Sequence, residues 1–320
     1  MTATVIRPSA VGHRRREGGV PPAPPSRRTI LRNQRRTGWW LSFPATSHLV
    51  IFLAIPAVVS FVLSFFDYGF LSAPEFIGLD NYVALAGDAR FGTALVNTLI
   101  FTATVVPVSM AISIAVAVAL NQRLKARAWY RTAFYLPEVT ATLAIAIVWT
   151  SLYNPDTGLF NIVLSFFGFG RIAWLQDPQT ALLAIIIMSI WQALGFKIIL
   201  YLAGLQNLPG EVLEAAEIDG ASPWQRFFHV TLPMLGPTHV FVLITSVIAS
   251  FQVFDQVYAM TEGGPIYSST VITYEIYLNA FQRFKFGYAC AEAVVLFLLI
   301  IGVLLAGVGI KRLLEARRGH

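Results

Sequence analysis

The sequence predicts an all-α polytopic membrane protein with six transmembrane helices, on three observations. Of its 320 residues, 56% are hydrophobic and only 12% are charged, where soluble proteins carry about 25% charged residues. Mean hydropathy is +0.65. Six segments are long and apolar enough to cross a hydrocarbon core about 30 Å thick, which takes about 20 helical residues. These runs are also far longer than the alternating strands of about ten residues that build a membrane barrel. Helices, which satisfy every backbone group within one span, are the solution that remains.

Residues 1–38 open the chain with arginine runs and Pro21-Pro22-Ala23-Pro24-Pro25, a composition that reads as a disordered basic tail. Beside a membrane span such a tail contacts anionic lipid or enforces topology, and nucleic acid is not expected as a partner. A cleavable signal peptide does not fit, because no small-residue cleavage pattern follows the first apolar run. The membrane domain is expected over 39–312, with spans at Leu41–Phe66, Thr93–Leu120, Phe134–Tyr153, Thr180–Leu205, Thr238–Met260 and Ala289–Ile310. A short tail, 313–320, closes the chain.

Lys and Arg in the connections set the orientation. The N-terminal arm carries Arg14, Arg15, Arg16, Arg27, Arg28, Arg32, Arg35 and Arg36. The second connection holds Arg123, Lys125, Arg127 and Arg131, and the C-terminus Lys311, Arg312, Arg317 and Arg318. Between Asp67 and Gly92 only Arg90 stands against four carboxylates. Both termini are therefore expected in the cytoplasm of a cell-membrane protein. Parity of the spans puts the 206–237 connection there too.

That connection is the most polar internal segment. Pro209 suits a first helical position, and Glu211 and Glu214 complement the helix dipole in the first turns. Val212, Leu213, Ala215 and Ala216 form a narrow apolar stripe, and Gly220 is a good terminator in a left-handed conformation. Ser222-Pro223 reads as the N-cap and first position of a second short helix, which Pro233 is expected to stop. Two short helices at a bend make an object that a soluble partner can grip.

The spacing Glu214-Ala215-Ala216, three residues, Gly220, nine residues, Val230, one residue, Leu232-Pro233 resembles the membrane-spanning permease subunit of binding-protein-dependent ABC importers. The resemblance implies a type I importer permease core whose 206–237 loop docks on an ATPase subunit. Glu214, Ala215, Ala216, Asp219, Gly220, Leu232 and Pro233 would be its coupling residues. Further motifs look like the carbohydrate-uptake (MalFG-like) branch. They are Leu136-Pro137-Glu138, Ile147-Val148-Trp149, Tyr153-Asn154-Pro155-Asp156, Phe251-Gln252-Val253-Phe254-Asp255, Thr261-Glu262-Gly263-Gly264-Pro265 and Gly287-Tyr288-Ala289. That branch takes up sugars, oligosaccharides or glycerol phosphates. The implied partners are a second, distinct permease chain, two ATPase subunits and an external solute-binding protein. Uptake of a non-carbohydrate solute by the same machinery is the alternative.

No Gly-x-x-x-x-Gly-Lys-Ser/Thr phosphate loop occurs, so ATP and Mg belong to partner subunits and this chain is not itself an enzyme. One cysteine, Cys290, leaves no internal disulfide or thiolate metal cluster, and the five histidines lack ligand spacing, so no metal site is expected. A secondary transporter would need its own ion-coupling site at an internal repeat, and no repeat is evident.

Carbohydrate binding needs hydrogen-bonding groups and aromatic faces at the membrane midplane. Trp191, Gln192 and Gly195 of the fourth span and Ser250 and Gln252 of the fifth are the expected pathway residues, with Ser189, Ser246, Thr140 and Thr142 as further polar positions. Gly195 would permit close helix approach or a bend. Glu138 and Lys197 lie about 9 and about 12 Å from the cytoplasmic ends of their spans, which allows an ion pair; snorkelling of Lys197 is the alternative. Gly263-Gly264-Pro265 suits contact with the external binding protein, and serves equally as a plain turn.

Overall fold

The computed structural model describes residues 27–69, 73–122 and 127–318. The proline run, Arg123 and Lys125 lie outside the described residues. The chain divides into two compact units, Met1–Pro56 and Ala57–His320.

In the first unit, helix α1 (Arg27–Leu49) runs through Pro44 into a π-helical turn, Val50–Ala54. Helical structure thus begins inside the segment expected to be a tail. Between Arg27 and Thr37 there is no proline or glycine, and Arg, Leu and Gln are good helix formers. Helix α2 (Ile55–Leu63) begins at the end of this unit and belongs mostly to the second.

In the second unit, a two-residue antiparallel pair aligns Phe66 with Phe76. Helix α3 (Asp80–Gly87) then leads into α4 (Ala89–Asn121), which Asp88 caps by accepting a hydrogen bond from the Arg90 amide at 2.8 Å. The third span differs from expectation. In place of one straight helix over Phe134–Tyr153 there are α5 (Arg127–Val139) and α6 (Thr142–Leu152), bent by 99°. Ala141 adopts an extended backbone (φ −56°, ψ 124°), and Pro137 one turn earlier has no amide proton to give the helical ladder. After α7 (Leu159–Phe166), α8 (Ala181–Gln206) is the fourth span, continuous throughout. It packs on α4 and α5, and together with α12 these helices bury a core around Ile114, Leu194, Ile198, Tyr201, Leu205 and Val242.

The 206–237 connection folds as α9 (Gly210–Ile218), α10 (Pro223–Arg226), a π-helical turn (Phe227–Thr231) and α11 (Leu232–Met234). Pro209 is the residue preceding α9 rather than its first position. Nor does Pro233 stop the helix. The Leu232 amide reaches back to the Phe227 carbonyl, and the widened turn accommodates a proline that cannot donate. Next come α12 (Gly236–Phe251), bent by 68° from the segment before it, and α13 (Asp255–Met260). The fifth span, expected to run unbroken from Thr238 to Met260, is thus interrupted at Gln252–Phe254. The Thr273 hydroxyl donates to the Val253 carbonyl that the break releases. Helix α14 (Ile272–Tyr277) and a π-helical turn (Leu278–Gln282) precede α15 (Phe286–Arg318), which contains the sixth span. Among the described residues four helices are long and apolar enough to cross a membrane, and the number is six when each bent pair is one span. The all-helical, six-span class stands.

Candidate functional site

Spans two to five line an open cavity of about 240 Å³. Its α8 wall is built by residues 189, 192, 193 and 197, steps of three and four that place side chains on one helix face. Gln192, buried, donates to the Thr142 hydroxyl at 3.0 Å, joining α8 to the first turn of α6. Ser189 is 5% exposed and its hydroxyl has no partner among the described residues, although buried polar groups are ordinarily satisfied. Ser246 and Ser250 of α12 and Gln256 of α13 complete the polar lining. Donors and acceptors, with the ionisable Glu138 and Lys197, thus line a space also walled by Phe101, Val105 and Val253. Such a surface suits a polar, uncharged or weakly charged solute.

Of the expected pathway residues, Gln192 and Ser250 line this cavity and the others do not. Trp191 is 41% exposed and packs against Trp149, with ring centroids 5.4 Å apart. Gly195 lies against the α5 backbone, where a Cβ would come 2.5 Å from the Phe134 carbonyl oxygen; close approach is realised and α8 stays unbroken. Gln252 sits exposed in the break between α12 and α13. Glu138 and Lys197 both face the cavity but form no salt bridge. The Lys197 ammonium, buried, donates to the Ala193 carbonyl at 3.3 Å. Ion pairs among the described residues include Arg171–Asp156, Arg226–Glu217 and Arg283–Glu275. Gln256 also lines the cavity, and its spacing of three from Val253 and seven from Ala249 is the signal that could have found it.

The 206–237 loop forms a second constellation. Gly220 has φ +78°; its amide bonds to the Glu217 carbonyl (3.1 Å), and that of Ala221 to the Ala216 carbonyl (3.0 Å). This pair of bonds is the Schellman termination that glycine favours. Ser222 and Gln225 cap α10 reciprocally, at 2.8 and 3.3 Å, as a capping box does. An Arg226–Glu217 bridge of 2.8 Å fastens α10 to α9. Glu214, Ala215 and Asp219 are exposed and Ala216 is half-buried. Ile218 (86% exposed) and Trp224, stacked on Phe228, are exposed apolar side chains of the same loop. Leu232 packs into the core while Pro233 stays exposed.

A third constellation spans 261–271. Here Glu262, Ile266 and Tyr267 hold positive φ of 50°, 50° and 61°, conformations that cost non-glycine residues energy and persist only when their surroundings hold them. Asn97 of α4 donates to the carbonyls of Tyr267 (3.3 Å) and Thr270 (3.0 Å), and Arg90 lies over the Tyr267 ring at 4.7 Å. The Ser269 hydroxyl donates to the Gly264 carbonyl. Gly263, Gly264 and Pro265 thus belong to a pinned loop whose tip, Ile266, is 86% exposed.

Residues 109–319 match the family described as the inner membrane component of binding-protein-dependent transport systems. The chain is 37% identical over 279 residues to the probable ABC transporter permease protein YesP of Bacillus subtilis, covering 86% of this chain and 89% of that one. It is 36% identical over 280 residues to the lactose transport system permease protein LacF of Rhizobium radiobacter, covering 86% and 94%. A bacterial alginate ABC transporter, solved in complex with its alginate pentasaccharide-bound periplasmic protein, shares the fold. Its TM-score is 0.77 at 24% identity, over 90% of this chain and 97% of that one. The broken spans, the polar cavity and the capped two-helix loop are those of a chain whose relatives are membrane transport components. The chain belongs to the binding-protein-dependent transport system inner membrane component family, as a permease of the ABC type.

Proposed function

We propose that this permease carries a carbohydrate (a sugar, oligosaccharide or glycerol phosphate) inward through the cavity between spans two and five. A solute-binding protein delivers it from outside. A second, homologous permease chain completes the pathway, and two ATPase subunits, which bind ATP and Mg, drive it. The observation that carries this reading is the cavity lining: hydroxyl and amide groups of Thr142, Ser189, Gln192, Ser246, Ser250 and Gln256, with Glu138 and Lys197, between apolar walls. LacF, a lactose permease by its name, supports the solute class.

The loop Glu214–Pro233 serves as the coupling element, with α9 seated on the ATPase and both chain termini on the same, cytoplasmic side. Its exposed Ile218 and Trp224 side chains and the exposed carboxylates of Glu214 and Asp219 give an ATPase groove both apolar and charged contacts. The pinned loop carrying Gly263-Gly264-Pro265 faces the binding protein.

The test is reconstitution of the chain with its partner permease, ATPase and binding protein in proteoliposomes. Uptake of radiolabelled lactose, maltose or sn-glycerol 3-phosphate is the expected result, and uptake of none, with an amino acid or peptide carried instead, would remove the carbohydrate assignment. Gly220→Asp and Ala216→Leu should insert normally yet lose co-purification of the ATPase and transport-linked ATP hydrolysis. Normal assembly and hydrolysis in both would reduce the loop to a connector.

A further inference from the structure

Two charged side chains line the cavity without pairing. Lys197 of α8 and Glu138 of α5 both reach it, close enough for their charges to interact, yet no ammonium–carboxylate distance falls to 4.0 Å. Lys197 is 6% exposed, and of the three protons its ammonium can donate, one finds the Ala193 carbonyl at 3.3 Å. Glu138 is exposed, and its carboxylate takes no hydrogen bond among the described residues. Backbone packing fixes the gap between them. Gly195, two residues before Lys197, lies against the carbonyl of Phe134, one turn before Glu138, and so tight a contact lets neither helix slide. From this geometry we propose that Lys197 and Glu138 together grip one hydroxyl of a neutral saccharide, and so select it over glycerol phosphates and other anionic carbohydrates.

A hydroxyl suits the gap because it accepts and donates at once. Its oxygen takes a proton from the Lys197 ammonium while its own proton goes to the Glu138 carboxylate, each bond about 2.8 Å long. Two groups joined through one such oxygen stand farther apart than an ion pair, as these do. A phosphate or carboxylate could accept from Lys197 but would set its charge beside that of Glu138. An amine could donate to Glu138 but would meet the Lys197 charge. A neutral group with both functions satisfies the two together, and on a saccharide that group is the hydroxyl. Ser246, Ser250 and Gln256 line the same space from α12 and α13, which leaves partners for the remaining hydroxyls.

The grip rests on the carbohydrate reading above, and the reconstituted full transporter with saturating loaded binding protein tests the two separately. Wild type should carry lactose or maltose. Uptake of sn-glycerol 3-phosphate and of neither sugar would overturn the grip and leave the carbohydrate reading standing, whereas uptake of none of the three would overturn both. For the sugar carried, Lys197→Met and Glu138→Gln should each lower uptake about ten- to hundredfold, the scale of one lost hydrogen bond to a charged group. Partner permease and ATPase should still co-purify. The double variant should be at least as slow as the slower single one, because both contacts serve the same hydroxyl. A wild-type rate in either single variant would overturn the proposal. So would recovery in the double variant, since two residues that only neutralise each other can be removed together. Should Lys197→Met fail to assemble, Glu138→Gln decides alone, because an exposed carboxylate can be neutralised without disturbing a core. There a tenfold loss with full assembly sustains the grip, and a wild-type rate overturns it.

Discussion

At position 195 an added Cβ would lie 2.5 Å from the Phe134 carbonyl oxygen and 3.0 Å from the Tyr135 Cα. Both obstacles are backbone, so α5 or α8 would have to move. Gly195→Ala should therefore cost about 1–3 kcal/mol, the range for overpacking a tight contact. Gly92→Ala is the control: nothing lies within 4 Å of its added methyl, and helix propensity should stabilise it by about 0.5–1 kcal/mol. Thermal unfolding midpoints in detergent should move in opposite directions. Side-chain direction was legible at this scale but not used to the full. Positions 189, 192, 193 and 197 share a helix face, whereas Trp191, adjacent to Gln192, points about 100° away. Chemistry made Trp191 attractive as a sugar ligand; geometry gives its ring to Trp149.

At the scale of elements, local chemistry predicted the Gly220 and Ser222 termini, misplaced those at Pro209 and Pro233, and did not show the interruptions. Gly220, Ser222 and Pro223 act where the sequence places them, because their hydrogen bonds reach only three to five residues. The breaks in the third and fifth spans escaped, since hydropathy along a helix is the same whether it bends or not. One terminus makes a pH-dependent prediction. Burial alone would raise the Asp88 carboxyl. Hydrogen bonds from the Tyr288 hydroxyl and from the amides of Arg90 and Phe91, with the Arg90 charge, outweigh it and hold the carboxyl below its ordinary value. A depressed folded-state value contributes stability above the unfolded value, lost as pH falls through the folded one. Asp88→Asn should therefore melt below wild type at neutral pH, with the gap closing below about pH 4. Melting midpoints from pH 3 to 7 check this. Tyr288 sits in α15, so the same bond, 2.8 Å long, also ties the sixth span to the start of the second.

For the whole molecule, the distribution of Lys and Arg implies that the 206–237 loop lies opposite the loops at 73, 158 and 268. In a Cys290→Ala background, single cysteines at Ala73, Gly158 and Ser268 should react with an impermeant thiol reagent in intact cells, and one at Gln225 should not. Labelling of Gln225 from outside would invert the topology and separate the coupling loop from any cytoplasmic ATPase. The sequence by itself determined the membrane class, and the Gly220 termination and Ser222 cap of the 206–237 loop. Hydropathy and capping are local properties, readable without knowing what a segment packs against. Only the tertiary structure decided where two spans break and which face of α8 meets the cavity. Those outcomes depend on groups far apart in the chain. Thr273 takes the carbonyl freed at Val253, and the α5 backbone nests against Gly195. No periodicity along a single helix records such a meeting.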